Sequence, residues 1–174
     1  FSHTIKGQAY NMPMLKKIME LGCQLIDYEK IIDENGKRVV FFGNFAGLAG
    51  MIDSLWAFGR RLKWENISSP FETIKQAIEY QNLTEAEQTL SEIGKKIANG
   101  AIPKEITPIV IGLTGYGNVS HGAQKILEYF PVKEIKPDEL PSLFKNPSRS
   151  DNCIYKVVFR EEHLVDPIHA DGRF

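Results

Sequence analysis

The chain has 174 residues and a net charge of −1, from 21 basic and 22 acidic side chains. This balance gives no electrostatic reason to expect nucleic acid or an anionic membrane as a partner. No apolar run approaches the ~20 residues of a membrane span, and Cys23 and Cys153 are too few for a disulfide framework. We expect a cytoplasmic protein without a secretory signal and without a metal site.

The opening forty residues predict a β-α-β unit followed by a hairpin. We expect an extended segment over residues 1–5, a helix over about 12–21 with Pro13 in its first turn, and a strand over 24–27. The apolar stripe of this helix consists of Met14, Leu15, Ile18 and Leu21. Asn35-Gly36 lies between two short apolar segments, which is a strong signal for a hairpin turn.

The middle of the chain is predicted to be helical. A long helix over about 44–62 is rich in Gly and Ala, which predicts that another backbone packs closely against it. A second helix is expected over 70–80. Thr84 and Glu87 indicate a capping box for a third helix that ends near Asn99. The predicted inner face of this third helix consists of Ala86, Leu90, Ile93 and Ile97.

The most informative stretch is an apolar strand, a glycine turn and a helix in that order. Residues 109–113 have the β-branched character of a strand buried on both faces. Gly115 and Gly117 follow, and apolar residues then recur at helical spacing. Glycines let the backbone approach a pyrophosphate, and the helix N-terminus receives its charge. The turn therefore predicts dinucleotide binding, although Ser120 replaces the third glycine of the usual fingerprint.

Two further parallel strands are predicted, over residues 132–135 and 154–159, with a short helix over 137–144. The fold class is therefore α/β with Rossmann-like parallel sheets. A doubly wound dinucleotide domain needs about six strands, so we expect the chain to be part of a longer enzyme, incomplete at both ends. An acid about 20 residues beyond the glycines would favour NAD(H); Lys136 in that window favours NADP(H), with either cofactor left open.

Several stretches together resemble one enzyme family. They are Phe1-Ser2-His3-Thr4-Ile5-Lys6, Asn11-Met12-Pro13-Met14-Leu15, Leu25-Ile26-Asp27-Tyr28-Glu29, Phe42-Gly43 with Ala46-Gly47-Leu48-Ala49-Gly50-Met51-Ile52, Thr114-Gly115-Tyr116-Gly117-Asn118-Val119-Ser120, and His163-Leu164-Val165. In this combination the chain resembles the lysine-ketoglutarate reductase / saccharopine dehydrogenase family, which belongs to the alanine dehydrogenase and transhydrogenase fold group.

The resemblance implies a two-domain architecture. Residues 1–43 would end the first segment of the substrate domain, 44–107 would form an inter-domain helix and helical connection, and 108–174 would start the nucleotide domain. The implied reaction condenses lysine with 2-oxoglutarate to saccharopine, or reverses this, with NADP(H) or NAD(H). The implied partners are these small molecules, and a homo-oligomer is left open. An animal member would be mitochondrial.

The resemblance also implies roles for individual residues. His3 would be the catalytic acid/base, because imine formation and hydride transfer require a proton shuttle at near-neutral pH. The implied substrate-binding residues are Lys6, Glu29, Arg38 and Phe42. The implied cofactor-binding residues are Gly115, Gly117, Asn118, Val119 and Lys136. Without the resemblance, the charged residues among these would be ordinary surface groups, and Phe42 would be an ordinary core residue.

Two other functions are left open by the sequence. One is an alanine-dehydrogenase-like enzyme that acts on a simpler amino acid. The other is a non-catalytic segment that binds a nucleotide or a partner protein. The catalytic lysine that partners the histidine in relatives lies upstream of Phe1, so we expect the 174-residue chain alone to be inactive.

Overall fold

The structure is a computed structural model that describes residues 7–166. The chain divides between Phe42 and Gly43 into two units. In the first unit, helix α1 spans Met12–Glu20, close to the predicted helix, with its proline in the first turn. No residue of α1 is buried, so the predicted apolar stripe lies at the surface of this unit.

The strand predicted over residues 24–27 is wrong. These residues have no regular structure and lead into a 3-10 turn at Tyr28–Lys30. The reason is local, since the Asp27 carboxylate accepts a hydrogen bond from the backbone N–H of Glu29 at 3.0 Å and so begins the turn. The extended segment expected over residues 1–5 lies outside the described residues.

The hairpin turn is confirmed, but it carries a single bridge instead of a ladder. Gly36 has a φ of +75°, which glycine adopts without strain. Asp33 donates its backbone N–H to the Lys37 carbonyl at 2.8 Å. One antiparallel bridge joins Ile32 and Arg38. The first unit is thus shaped mainly by turns.

The second unit begins with two long helices. Helix α2 spans Gly43–Trp64 and helix α3 spans Leu83–Ala98. The true N-cap of α3 is Asn82, whose side chain accepts from the backbone N–H of Glu85 at 3.0 Å, two residues before the predicted capping box. Within residues 7–166, no helix is both long and apolar enough to span a membrane.

The helix predicted over residues 70–80 is also wrong. Two short 3-10 turns, Pro70–Thr73 and Ala77–Glu79, take its place. Each turn is closed by its own glutamate, which accepts a hydrogen bond from the backbone N–H that precedes the turn. Ile74 between them is extended and almost fully buried. Because its side chain has to reach the core there, one continuous helix does not form.

Three parallel strands follow. Strand β1 spans Ile109–Thr114, β2 spans Val132–Glu134 and β3 spans Ile154–Phe159. Helix α4 (Asn118–Leu127) connects β1 to β2, and the short helix α5 (Leu140–Lys145) lies between β2 and β3. The α/β class with a parallel sheet is confirmed.

The order of the strands is β1–β3–β2. The neighbour of β1 is therefore β3, which pairs with it along six residues, and the shorter β2 lies on the far side of β3. Strand β1 lies at one edge of the sheet that the described residues form, so Gly112 is exposed while Ile109 and Leu113 are buried. The expectation of a strand covered on both faces is met only in part.

Helices α2 and α4 pack backbone against backbone. A Cβ atom at Gly47 would collide with the carbonyl oxygen of Val119, and one at Gly122 would collide with the carbonyl oxygen of Asn44. The predicted close approach to the small residues of α2 is thereby confirmed. The contact fixes the start of α4, where the glycine turn ends.

Candidate functional site

The glycine turn leaves open space beside the N-terminus of α4. Gly115 has a φ of +94°, which L side chains rarely adopt, and its backbone N–H donates to the Phe159 carbonyl at 2.9 Å. Gly117 is the N-cap of α4 and provides no side-chain cap. A Cβ atom at either glycine would meet no atom within 4 Å. The backbone of the turn therefore has open space beside both glycines, next to the N-terminus of α4, which is the kind of place where an anion can bind.

Ser120, in the position of the third fingerprint glycine, is buried and hydrogen-bonded. Its hydroxyl accepts from the Gln124 amide at 3.2 Å, and the amide oxygen of Gln124 accepts from the Lys156 ammonium at 2.8 Å. Lys156 also pairs with Glu134 at 2.7 Å. This row of polar groups joins α4 to β3 and β2, which holds the turn in register with the strand ends.

A cavity of about 650 Å³ opens beside this row, at the carboxyl ends of β2 and β3. In open parallel sheets this edge is where ligands bind. Its lining comes from the glycine turn, from α4, and from the residues at and after the ends of the two strands. The lining residues are Tyr116, Gln124, Glu134, Ile135, Lys136, Pro137, Asp138, Glu139, Val158, Arg160, Glu162 and His163.

The predicted cofactor residues fall in two places. Gly115, Gly117, Asn118 and Val119 form the turn and the first residues of α4, as the sequence predicts. Lys136 lines the cavity, but it follows the outer strand β2 and not the neighbour of β1. The residue that follows the neighbour of β1 is Arg160.

Sequence reasoning missed Arg160. Its guanidinium lies over the ring of Tyr116, with 5.3 Å from the carbon of the guanidinium to the ring centroid. The only signal in the sequence was its position directly after the third predicted strand, and this gains meaning once the strand order is known.

The predicted substrate residues lie in the first unit. Glu29 is 4% exposed, and its carboxylate pairs with the Arg38 guanidinium at 3.3 Å. Phe42 is 58% exposed and meets Tyr28 edge to face, with 6.0 Å between the ring centroids. The structure thus brings Glu29 and Arg38 together. His3 and Lys6 lie outside the described residues.

Comparison with known proteins gives a consistent set of relatives. The chain is 40% identical over 166 residues to alpha-aminoadipic semialdehyde synthase of Rattus norvegicus, covering 95% of this chain. It is 41% identical over 180 residues to the protein of that name from Arabidopsis thaliana, covering 98% of this chain. A saccharopine dehydrogenase (NAD⁺, L-lysine-forming) of Neurospora crassa is 29% identical over 165 residues, covering 89%.

The matches cover only part of each relative. The chain spans 18% of the rat synthase, 17% of the plant synthase and 42% of the fungal dehydrogenase. No family model matches the chain. The matched regions nevertheless extend over 98% of this chain for the Bos taurus and Arabidopsis thaliana synthases. Over nearly its whole length the chain is therefore similar to enzymes of the lysine-ketoglutarate reductase / saccharopine dehydrogenase family, as its motifs predict.

Proposed function

We propose that this chain is part of a nicotinamide-dependent oxidoreductase of lysine metabolism. The enzyme joins lysine and 2-oxoglutarate to form saccharopine, or splits saccharopine in the reverse direction. The observation that carries the proposal is the uncapped glycine turn at the carboxyl end of β1, in a chain 40% identical to alpha-aminoadipic semialdehyde synthases. The dinucleotide would be NADP(H) or NAD(H).

The turn fits a dinucleotide in chemical terms. The space beside Gly115 and Gly117 allows the backbone to approach a pyrophosphate closely, and the N-terminus of α4 offers N–H donors and a positive dipole end. When bound, the nicotinamide would supply or accept the hydride. Asn118 and Val119 would donate their backbone N–H groups to phosphate oxygens.

The reaction divides into condensation and reduction. The ε-amine of lysine adds to the oxo carbon of 2-oxoglutarate, water leaves, and the resulting imine carbon receives a hydride to give saccharopine. The addition of the amine and the loss of water each require the transfer of a proton. We propose His3 as the group that transfers it. When saccharopine is split, the same group would take up the proton that it donates during condensation.

The substrate carries several charges, which the first unit would recognise. Arg38 offers a planar fork of donors for a carboxylate, and the buried Glu29 would hold an ammonium group. Their ion pair at 3.3 Å supports this role, because each orients the other. We propose Lys6 as a second cation and Phe42 as an apolar wall of the same site.

We further propose the domain division predicted from the sequence, with residues 1–43 in the substrate domain, 44–107 as the connection and 108–174 in the nucleotide domain of a two-domain enzyme. The rat and Bos taurus synthases are named as mitochondrial proteins. We propose a mitochondrial protein if the source is an animal, which these two names support, and a cytoplasmic one otherwise.

The test follows NADPH and NADH oxidation by the full-length protein. We expect oxidation with lysine plus 2-oxoglutarate and none with pyruvate plus ammonia. The opposite pattern would identify an alanine-dehydrogenase-like enzyme. Dinucleotide binding without oxidation of any amine and oxo-acid pair would favour a non-catalytic binding module and contradict the proposal.

A matched pair of variants tests the turn itself. Gly117→Ala adds a methyl group where the protein has open space and an ordinary φ of −82°, so the fold should tolerate it. The methyl group would occupy the space that the pyrophosphate needs, and we expect dinucleotide affinity to fall about 10-fold or more. Gly50→Ala, on an exposed helical position with equal space, is the control and should leave affinity unchanged.

A further inference from the structure

The strand order decides which side chain lies at the ribose end of the nucleotide site. In dinucleotide-binding sheets, the residue that distinguishes the two cofactors follows the strand beside the glycine-turn strand. Here that strand is β3, whose last residue, Phe159, accepts a hydrogen bond from the Gly115 N–H at 2.9 Å. The next residue is Arg160. The spacing of about 20 residues that points to Lys136 fails because β2 and α5 are inserted before β3.

Arg160 makes two contacts beside the cavity, one through its side chain and one through its backbone. Its guanidinium lies over the ring of Tyr116, the residue between the two glycines of the turn. Its backbone N–H donates to Nδ1 of His163 at 3.0 Å, and the His163 ring meets Phe159 edge to face at 6.5 Å. Both contacts fix the segment that follows β3, so the charge is placed beside the glycine turn.

The charge of Arg160 is not neutralised within the described part of the chain. No carboxylate among residues 7–166 lies within ion-pair distance of its guanidinium. Four acids also line the cavity: Glu134 is paired with Lys156, Glu139 accepts the backbone N–H of Lys136 at 2.7 Å, and Asp138 and Glu162 are the other two. Lys136 also lines the cavity and supplies a second cation there.

We propose that Arg160 binds the 2′-phosphate on the adenosine ribose of the dinucleotide and makes the site selective for NADP(H). A guanidinium suits this role, because its fork matches phosphate oxygens while its face stacks on an aromatic ring. Lys136 is a weaker second contact. The inference rests on the proposed dinucleotide-binding function and names the residue that sets the choice of cofactor.

The test measures binding of adenosine 2′,5′-bisphosphate and adenosine 5′-monophosphate to the full-length protein by calorimetry. We expect the unmodified protein to bind the bisphosphate at least about 10-fold more tightly. Arg160→Gln should weaken bisphosphate binding about 10- to 100-fold, the range of a hydrogen bond between charged groups, and leave the monophosphate unchanged. Lys136→Gln should have a smaller effect, and Arg160→Lys should restore part of the preference.

The alternative is that Glu162, which lines the same cavity, accepts the 2′-hydroxyl of NAD(H). Equal binding of the two ligands, an unchanged preference in Arg160→Gln, or weaker monophosphate binding in Glu162→Gln would each overturn the assignment to Arg160 while leaving dinucleotide binding intact. Binding of neither ligand by the unmodified protein would overturn the proposed function and this assignment with it. Unfolding curves of each variant show whether the fold is retained.

Discussion

The two units of the chain bury different kinds of side chain. Among residues 7–42 the buried side chains are the carboxylates of Asp27 and Glu29, whereas the second unit buries a continuous set of aliphatic and aromatic side chains from α2, α3, α4 and the sheet. Polar turns and an ion pair therefore shape the first unit, and apolar packing holds the second. The proposed substrate site requires fixed charges, and the proposed nucleotide site requires a rigid glycine turn. The two kinds of packing suit these two requirements.

The largest expected effect comes from the apolar core of the second unit. Ile154 on β3 is 0% exposed, and Ile154→Ala should lower the free energy of unfolding by about 2–5 kcal/mol. Leu21→Ala in the first unit removes a side chain that is 64% exposed and should cost less than about 0.5 kcal/mol. Hydrogen exchange of peptides from each unit of the full-length protein measures both. Equal effects would contradict the contrast between the units.

The close packing of α2 on α4 gives the next effect. Gly47→Ala places a methyl group on the carbonyl oxygen of Val119 and should destabilise the second unit by about 1–3 kcal/mol. Gly50→Ala on the same helix meets open space and should stabilise by up to about 1 kcal/mol, since alanine favours helix. Denaturant unfolding compares the two. A stabilising Gly47→Ala would contradict this prediction, because it would show that α2 and α4 can move apart without lowering the stability of the second unit.

The ion pair of the first unit should contribute less. Arg38→Leu leaves the Glu29 carboxylate, with its side chain 3% exposed, without this guanidinium and should cost about 1 kcal/mol, because the arginine side chain itself is 42% exposed. Adding Glu29→Gln should recover part of the loss. A double-mutant cycle measured by unfolding gives the coupling, and a coupling of zero would mean that the pair contributes nothing to the fold.

The smallest effect is confined to alkaline pH in the second unit. The Glu87 carboxylate, which accepts a hydrogen bond from the phenol, together with burial, raises the pKa of Tyr129 to about 12. The neutral phenol therefore stabilises the folded state below pH 10, and this contribution disappears as the pH rises from about 10 to 12. Tyr129→Phe and Glu87→Gln should each flatten the fall of stability in that window. A steep fall in both variants would contradict this assignment.

Elements with a long regular pattern were predicted closely. Helix α2 was expected over 44–62 and spans Gly43–Trp64, and β3 has the predicted bounds. The helix expected over 70–80 failed because two glutamates accept backbone hydrogen bonds that close separate turns there, and the burial of Ile74 outweighs helical periodicity. The strand expected over 24–27 failed because a local carboxylate captures a backbone N–H.

The candidate nucleotide site also has a part that the sequence predicts and a part that it does not. The turn at Gly115 and Gly117 is predicted from the sequence, because two closely spaced glycines after an apolar strand are a local pattern, and the positive φ of Gly115 favours glycine. Arg160 is not predicted, because it lies 45 positions beyond Gly115 and reaches the site only through the pairing of β1 with β3. The pair of Glu29 and Arg38 was named from the resemblance as two separate contacts, and the structure joins them.

By itself the sequence determined the family resemblance, the glycine turn and the parallel α/β class, because these depend on local patterns of apolar residues, glycines and motifs. The tertiary structure decided the strand order, the packing of α2 on α4 and the identity of the cation beside the glycine turn. The physical reason is that the sequences of β2 and β3 do not themselves show which of the two strands lies next to β1. Which of them does so depends on hydrogen bonding and helix packing between residues far apart in the chain, and no local pattern records that competition.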